Sequence, residues 1–340
     1  MIKKNLVILN NEKVFCKENN FYCDDMDVKS IPEGLALHND VFYISRRLKK
    51  TGKHKLNLKN IKVASNILTF LYYIFNTFKI KNNSYLLISI SPYTFVSFLF
   101  LKLFRKKIFV YLRSSGHEEY KHIIGPWSVI IYDLMYKIVT FKTNVIVVDY
   151  RLHNKKEKIH LARPSKLDSL WLSDNKEATI DQVKLLYVGR INPEKGILEF
   201  LKMLDQLEFK ASLSIVSNAK DLKVNQNKVK LLGHGFDTKS LIKIYDDNNI
   251  IILPSFTEGH PQVVDEALAR VRPVVIFEDI SHIVQEKKGI FISKRNIVSL
   301  SETLNYIIKN YREIEKDIKK NVLPTREDFV KNISSIIEKN

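Results

Sequence analysis

Two glutamates stand eight residues apart in the stretch PSFTEGHPQVVDEALAR, residues 254–270. An apolar strand pattern precedes them, TEGHP forms a tight turn, and a helical pattern follows from about Pro261. The first backbone N–H groups of a helix have no partner within it, so they predict a site for a phosphate or sugar oxygen. A carboxylate accepts two hydrogen bonds side by side, so Glu258 and Glu266 could each hold a vicinal diol. Taken singly, Glu258 also fits a charge that favours the helix dipole, and Glu266 a surface charge.

A second segment, YVGRINPEKGI at residues 187–197, combines two cations with two glycines. A strand pattern ends at Gly189 and a helical pattern begins near Glu194. Arg190 and Lys195 could converge on one anion, since arginine offers phosphate oxygens a planar fork and lysine a point charge. The spacing matches neither a Walker phosphate loop nor a G-x-G-x-x-G motif. On this segment alone, two solvated cations beside a helix are the alternative.

The segment VYLRSSGHEEY, residues 110–120, offers a histidine at the end of another strand pattern. The strand ends near Arg113, residues 114–116 form a turn, and His117 follows at the expected carboxyl edge of an N-terminal sheet. Ligands of parallel α/β sheets bind at this edge. We interpret His117 as a site residue; a loop histidine beside two surface glutamates is the alternative.

Strand-like and helical patterns alternate along the chain and must position these residues. Continuous apolar strands separated by helices are typical of parallel sheets covered on both faces. Such strands recur at residues 5–10, 85–91, 108–114 and 144–149, and again at 183–189, 211–217, 229–233, 250–255 and 273–278. The predicted fold class is α/β, with two Rossmann-like, doubly wound parallel-sheet domains facing each other across a cleft.

Length and composition set the predicted domain boundaries. At 340 residues the chain is long enough for two domains of ~150 residues each. Residues 160–182 mix Pro, Ser, Asp and Asn with little periodicity, which suits a linker. We predict an N-terminal domain over 1–165, a linker over 166–182 and a C-terminal domain over 183–310. Helices over 311–340 are expected to pack back toward the N-terminal domain.

Positive charge is concentrated in the N-terminal half. Residues 1–170 contain 29 Lys and Arg against 13 Asp and Glu, whereas residues 171–340 contain 26 against 24. Residues 41–117 hold 15 basic and no acidic side chains, with clusters at 46–50 and 102–107. This asymmetry points to an anionic partner, such as lipid headgroups, a phosphorylated acceptor or nucleic acid. A solvated basic face is the alternative.

Two classes of feature are not indicated by the sequence. No stretch approaches the ~18 consecutive apolar residues of a membrane-spanning helix, and the first apolar run is too short for a signal peptide. Cys16 and Cys23 form no CxxC motif or Cys/His cluster, so the sequence indicates two reduced thiols rather than a disulfide framework or a zinc site.

Together these segments resemble the retaining nucleotide-sugar glycosyltransferases of the GT-B fold in glycosyltransferase family 4. That family shows G-R after a strand, then E-K-G, P-S, E-G, a second glutamate eight residues after the first, and P-V-V. The matching residues, in that order, are Gly189-Arg190, Glu194-Lys195-Gly196, Pro254-Ser255, Glu258-Gly259, Glu266-Ala267 and Pro273-Val274-Val275. The resemblance covers roughly residues 183–293 and is loose in the N-terminal half.

The resemblance implies a role for each matching residue in a donor-binding C-terminal domain. Arg190 and Lys195 would bind the donor diphosphate and stabilise its developing charge, and Glu266 would hold the ribose hydroxyls. Glu258 would face the donor sugar, and His117 would touch it from the acceptor-binding N-terminal domain. The remaining residues that line the donor, with the nucleobase at 233–234, are Gly189, Gly233, His234, Gly259, His260, Pro261, Gln262 and Val263.

The resemblance also implies the chemistry and the partners. In the implied reaction the acceptor hydroxyl attacks from the front face and gives its proton to the donor phosphate, without a metal. The donor is a nucleotide-diphosphate sugar, expected to be UDP-linked, and no other cofactor is expected. Acceptors of related bacterial enzymes are lipid-linked glycans at the inner face of the cytoplasmic membrane. We therefore expect a cytoplasmic transferase of cell-surface polysaccharide synthesis, peripheral on an anionic membrane through its basic N-terminal half, with no nucleic-acid partner.

The sequence departs from the family at three places. The family usually has Gly two residues before the proline of P-V-V, where this chain has Val271. Its usual Gly-Gly-x-x-Glu is replaced by DISHI, residues 279–283, and no glycine-rich turn follows the first strand. This end of the donor pocket is expected to be remodelled, so the sequence does not identify the sugar.

Three other interpretations stay open at this point. A sugar-nucleotide epimerase shares the GT-B fold, although the paired glutamates with Arg190 and Lys195 argue against it. A nucleic-acid-binding protein fits the pI of about 9.6, yet the aromatic and basic residues of 93–113 fall in buried patterns and match no RNA-binding motif. A catalytically inactive scaffold fits poorly with intact Glu258 and Glu266.

Overall fold

The computed structural model describes residues 3–24, 26–49, 52, 54–113, 116–153, 158–207, 210–218, 222 and 224–340, without the side chains of residues 26, 27, 118, 119, 122 and 123. The chain forms two compact units, Met1–Pro164 with Arg326–Asn340, and Ser165–Thr325. No helix among the described residues combines the length and apolar character that a membrane crossing requires.

The first unit is built on a parallel sheet. Its strands are β1 (Lys4–Lys17), β2 (Asn20–Cys23), β3 (Asn39–Arg47), β4 (His54–Leu56), β5 (Asn60–Ala64), β6 (Ser84–Ile88), β7 (Lys107–Leu112), β8 (Asn144–Val147) and β9 (Ile159–Leu161). Strands β5, β3, β1, β6, β7, β8 and β9 lie side by side in parallel, and β2 and β4 add an antiparallel extension beside the end of β1.

Helices cover both faces of this sheet. The helices of the first unit that precede residue 164 are α1 (Met26–Leu35), α2 (Ile67–Asn76), α3 (Pro92–Leu103), α4 (Gly116–Ile123) and α5 (Ser128–Thr140). Leu6 and Ile8 of β1 belong to the apolar core beneath α1, whereas Val7 and Leu9 belong to the core beneath α2, α3 and α5. All four are fully buried, which explains why the strand reads as a continuous apolar run.

The second unit also has a parallel sheet. Its strands are β10 (Val183–Val188), β11 (Ala211–Val216), β12 (Val229–Gly233), β13 (Ile250–Leu253), β14 (Val274–Phe277) and β15 (Ile290–Ser293), and its helices are α6 (Ser169–Leu172), α7 (Ile197–Asp205), α8 (Thr238–Asp246), α9 (Gln262–Ala269), α10 (Ile297–Lys309) and α11 (Tyr311–Ile318). The strand order is β12-β11-β10-β13-β14-β15. The order reverses between β10 and β13, and ligands of such sheets bind at this switch point.

The boundaries of the units differ from the predicted ones. The predicted linker, 166–182, is part of the second unit, because Leu167, Trp171 and Ala178 are buried in its core. Their uneven spacing among polar residues gives no periodic signal in the sequence. Helix α11 also packs into the second unit, through Tyr311, Ile314 and Ile318, although the sequence placed it with helices that return to the N-terminal domain.

A last helix, α12 (Arg326–Lys339), belongs to the first unit. It packs beside α1, where a Cβ at Gly34 would collide with Val330, and Asn39 donates a hydrogen bond to the Ser334 hydroxyl over 3.2 Å. The first unit is therefore formed by two segments of the chain, and the whole second unit lies between them in the sequence.

The two basic clusters of the N-terminal half do not form one patch. Arg46 lies at the carboxyl end of β3 and Lys107 at the amino end of β7, and strands of one parallel sheet place those ends at opposite edges. Arg46 is also engaged within the unit, because its guanidinium lies 4.3 Å from the Tyr93 ring centroid and donates to the Asn11 side chain. Lys50 lies outside the described residues.

Candidate active site

The loops that follow β10 and β13 are in contact at the switch point. Gly196 has a φ of +61°, which favours glycine, and a Cβ there would collide with the Pro254 carbonyl oxygen. The backbone N–H of Phe256 donates to the carbonyl of Glu194 over 2.9 Å. The two segments that sequence analysis selected, 187–197 and 254–270, therefore meet at the carboxyl edge of the sheet.

Lys195 and Glu258 form an ion pair at this edge. The Lys195 Nζ lies 2.6 Å from Glu258 Oε1, and the two side chains are 20% and 12% exposed. The Ser255 hydroxyl donates to the same Oε1 over 2.7 Å. Charge-assisted hydrogen bonds of this kind are the strong ones, so the carboxylate is held in one orientation. An interpretation of Glu258 as a mere helix-start charge does not account for these contacts.

Arg190 stands beside this pair in the same loop. Its side chain is exposed, and its carbonyl accepts a hydrogen bond from the Tyr187 hydroxyl over 2.5 Å. Burial raises the pKa of Glu194, but a hydrogen bond from Asn192 and the charges of Arg190 and Lys195 bring this pKa below its usual value. The loop therefore carries positive potential, which is the property that an anionic ligand requires.

Glu266 is buried. It is 6% exposed, and the hydroxyl of the fully buried Tyr245 on α8 donates to its Oε2 over 2.7 Å. Burial and then the charge of Glu266 raise the pKa of Tyr245 well above its usual value, so the phenol stays a hydrogen-bond donor. The interpretation of Glu266 as a surface charge is wrong. Tyr245 is a residue that sequence analysis missed.

The turn before α9 is tied down by a buried acid. Asp265 is 1% exposed, with His260 Nε2 at 3.0 Å from one carboxylate oxygen and Lys287 Nζ at 2.6 Å from the other. Burial raises the pKa of Asp265, but the adjacent His260 and the charge of Lys287 outweigh it, so the pKa lies below its usual value. Sequence analysis selected His260 but neither of the residues that orient it.

The start of α9 is open to a ligand. The helix begins at Gln262, one residue after the predicted start, with Pro261 in the N-cap position. Gly259 and Val263 lie around this start and are partly exposed, whereas the His260 side chain is 6% exposed. Among the described residues, no hydrogen-bond partner reaches the buried Oε1 of Gln262. This acceptor is therefore available to a hydrogen-bond donor of a bound group.

Arg295 holds the loop that carries Glu258, and sequence analysis missed it. Its Nη2 donates to the carbonyls of Pro254 and Ser255 over 2.8 and 2.9 Å. The guanidinium lies 3.8 Å from the ring centroid of Phe256. A single arginine after β15 carries no signal in the sequence, because its partners are backbone carbonyls 40 residues away.

The DISHI segment, where the sequence departs from the family, contacts this loop. Asp279 accepts a hydrogen bond from Arg295 Nε over 2.7 Å, and His282 Nε2 lies 3.0 Å from the carbonyl oxygen of Glu258. The segment is a 3-10 turn, Glu278–Ile283, at the carboxyl end of β14. It therefore supports the turn that bears Glu258.

The other departure, ARVRP, has a structural role. Arg270 and Arg272 are 1% and 0% exposed and donate to backbone carbonyls of residues 171–176. Arg270 also makes a two-pronged ion pair with Asp246, with both contacts at 2.9 Å. Val271 between them has a φ of +56°, in the left-handed region that favours the glycine of the family.

The predicted nucleobase residues and His117 lie elsewhere. Gly233, with a φ of +79°, ends β12 at the edge of the second sheet, and the exposed His234 follows it. His117 belongs to the first unit, where its ring lies 4.7 Å from that of Tyr132 and its Nε2 lies 3.6 Å from Asp133 Oδ1. It follows β7 at the carboxyl edge of that sheet, as predicted.

Comparison with known proteins shows where this architecture recurs. Residues 182–310 match the family described as glycosyl transferases group 1. An uncharacterised glycosyltransferase of Haemophilus influenzae is 28% identical over 169 residues, which cover 45% of this chain and 46% of that protein. A putative teichuronic acid biosynthesis glycosyltransferase of Bacillus subtilis, TuaC, is 25% identical over 127 residues, 37% of this chain and 33% of that protein.

The chain thus spans half or less of the curated relatives that it matches. Among solved structures, Anabaena HepE in complex with UDP-glucose superposes with a TM-score of 0.70 at 12% identity, covering 98% of each chain. The sucrose-phosphate synthase of Thermosynechococcus elongatus superposes with a TM-score of 0.65 at 14% identity, covering 99% of this chain and 97% of that one. The predicted α/β class and GT-B fold are confirmed.

Proposed function

We propose that the protein transfers a sugar from a nucleotide-diphosphate sugar to a glycan or lipid-linked glycan, on the premise that residues 182–310 match the family of glycosyl transferases group 1. One observation carries the proposal. At the switch point of the second sheet, Lys195 and Glu258 meet 2.6 Å apart. Beside them lies the start of α9. The buried Oε1 of Gln262 at this start has no hydrogen-bond partner among the described residues. A cation, a carboxylate and helix N–H groups at such a point suit a sugar diphosphate.

Each residue has a place in this proposal. Lys195 and Arg190 bind the diphosphate, Glu258 accepts hydroxyls of the sugar, and Glu266 holds the ribose. The residues at 233 and 234 seat the base, and His117 is proposed to contact the sugar. The solved complex of Anabaena HepE contains UDP-glucose, which supports a UDP-linked donor here.

The proposed reaction proceeds with retention. The acceptor hydroxyl oxygen attacks the anomeric carbon from the face that the leaving diphosphate occupies, and its proton passes to a donor phosphate oxygen as the old C–O bond breaks. Arg190, Lys195 and the α9 dipole stabilise the negative charge that develops on the diphosphate. The protein supplies position and charge rather than a nucleophile.

A thermal-shift screen of the full chain against UDP, GDP, CMP and ADP sugars tests the proposal. We expect stabilisation by one nucleotide class, about 3 kcal/mol at a concentration one hundred times the dissociation constant. NMR of the product formed with that donor would show the anomeric configuration retained. Absence of any shift across the panel would overturn the proposed function, and an inverted product would overturn only the stereochemistry.

Tyr245→Phe tests the role of Glu266. The change leaves a buried carboxylate oxygen without its donor, so we expect nucleotide affinity to fall by about 10-fold, since hydrogen bonds to charged groups contribute ~1.5–3 kcal/mol. Titration calorimetry measures it. Tyr311→Phe is the matched control, because its buried hydroxyl donates to the Asn249 carbonyl over 2.6 Å. Equal affinity losses in both variants would contradict a role at the ribose.

We also propose where the enzyme acts. The name of the Bacillus subtilis relative refers to teichuronic acid biosynthesis, which supports a role in cell-surface polysaccharide synthesis. An acceptor of this kind that is linked to lipid is presented at the inner face of the cytoplasmic membrane. A peripheral position on that anionic surface agrees with the surplus of 29 basic over 13 acidic residues in 1–170.

A further inference from the structure

The first unit exposes an unusual set of large apolar side chains on three helices. Leu68 on α2, Leu103 on α3 and Ile130 on α5 are each about three-quarters exposed, at 74%, 77% and 75%. The other exposed members on these helices are Tyr72, Phe75, Val96, Leu99, Ile131, Leu134 and Ile138. Soluble proteins rarely expose such contiguous apolar sets without a binding partner.

These side chains share one outward face. Helices α2, α3 and α5 are neighbours, and their inner sides pack into one core through residues such as Phe70, Phe98 and Met135. On each helix the exposed residues recur at spacings of three or four, the period of a helical stripe. Each helix is therefore apolar on the side that faces its sheet and also on the opposite side.

Basic side chains border this face at one end. Exposed cations follow the end of each helix: Lys79 and Lys81 after α2, Lys102 and Arg105 at the end of α3, and Lys137 and Lys142 at the end of α5. Asp133 is the sole acid within the three helix sequences, and it is paired with Lys137 over 2.6 Å. The border is strongly cationic.

We propose that this face, the outer side of α2, α3 and α5, rests on an anionic lipid bilayer. The apolar side chains enter the boundary between headgroups and acyl chains, and the basic border binds lipid phosphates. A second copy of the chain fits less well, because its equivalent face has one acid, Asp133, to set against this cationic border. This face is the surface through which the protein would take its proposed position on the membrane. Its binding to lipid does not depend on sugar transfer.

Sedimentation of the full chain with vesicles tests the inference. We expect binding to vesicles of ~30% phosphatidylglycerol in phosphatidylcholine at low salt, and weaker binding to pure phosphatidylcholine. Leu103→Ser with Ile130→Ser should lower the partition coefficient at least tenfold, as should Lys102→Gln with Arg105→Gln, since each basic residue near an anionic surface contributes substantially. Thermal melting checks that the variants fold.

The matched control is Val298→Ser with Tyr306→Ser, two exposed apolar residues on α10 of the second unit. This variant should bind vesicles as the wild type does. Failure of the wild type to sediment, or equal binding by the Leu103/Ile130 variant, would overturn the inference. A wild-type dimer would also overturn the inference if the Leu103/Ile130 substitutions dissociated that dimer and the wild type did not bind vesicles. If the proposed function holds, the thermal shift that the donor produces without lipid should be the same in the wild type and in every variant. The membrane inference and the proposed function can therefore fail separately.

Discussion

Replacing Lys195 by alanine is expected to lower kcat by about 10²–10³-fold, since removing one group that stabilises developing charge in a transition state has effects of that size. The lysine is also the cation that contacts Glu258 over 2.6 Å, so its loss leaves a part-buried carboxylate without that partner. Steady-state rates at saturating donor measure the effect. Lys202→Ala, an exposed lysine on α7, is the control and should keep the wild-type rate.

A double-mutant cycle sharpens this prediction. Because Lys195 and Glu258 touch, the rate loss of Lys195→Ala combined with Glu258→Gln should be smaller than the product of the single losses. Multiplicative losses would mean that the two side chains act independently. A Lys195→Ala rate within a few-fold of the wild type would remove Lys195 from the catalytic machinery.

Replacing Arg270 by methionine is expected to destabilise the second unit by ~3–5 kcal/mol, the typical result of breaking a buried ion pair from one side. The change leaves Asp246, with a side chain 4% exposed, without its two-pronged partner. It also removes donors from the carbonyls of Trp171, Ser173 and Asp174. Urea unfolding of the full chain, with the transition of each unit followed separately, measures the loss in free energy of unfolding.

Arg312→Met is the matched control for this prediction. Arg312 also pairs with a carboxylate, Glu315, over 2.8 Å, but its own side chain is 52% exposed. Solvent screens this half-exposed guanidinium, so the variant should lose less stability than Arg270→Met does, although the Glu315 side chain is 8% exposed. Similar losses in the two variants would show that burial of Arg270 does not matter. Adding Asp246→Asn to Arg270→Met should recover part of the stability, because the carboxylate that lost its two-pronged partner is then neutral.

The sequence predicted those parts of the fold and site that depend on local pattern. Continuous apolar strands predict two parallel sheets, and the residue types and spacing of the strand-end segments containing Lys195 and Glu258 mark them as site segments. Their direct contact was not predictable, because it requires β10 and β13 to be neighbours in the sheet. Strand order depends on tertiary packing, and the alternation of strands and helices does not specify it.

Residues whose partners are distant in the chain were missed for the same reason. Tyr245, Arg295 and Asp265 look like ordinary members of their helix or loop, and each acts through contacts more than 15 residues away. Nothing in the sequence indicates that Arg270 and Arg272 are buried, since arginine is rarely buried unless paired. Their burial depends on carbonyls of a segment that the sequence had indicated as a linker.

The close approach of the Gly196 and Pro254 loops has a thermodynamic consequence. Backbone that is already packed and hydrogen-bonded before a ligand arrives loses little conformational entropy when the ligand binds. The loops at this edge lose their conformational entropy during folding, when Arg295 donates hydrogen bonds to the carbonyls of residues 254 and 255. Donor binding here should therefore show a small entropic penalty, and substitutions that loosen these loops should weaken binding through entropy without removing a single donor contact.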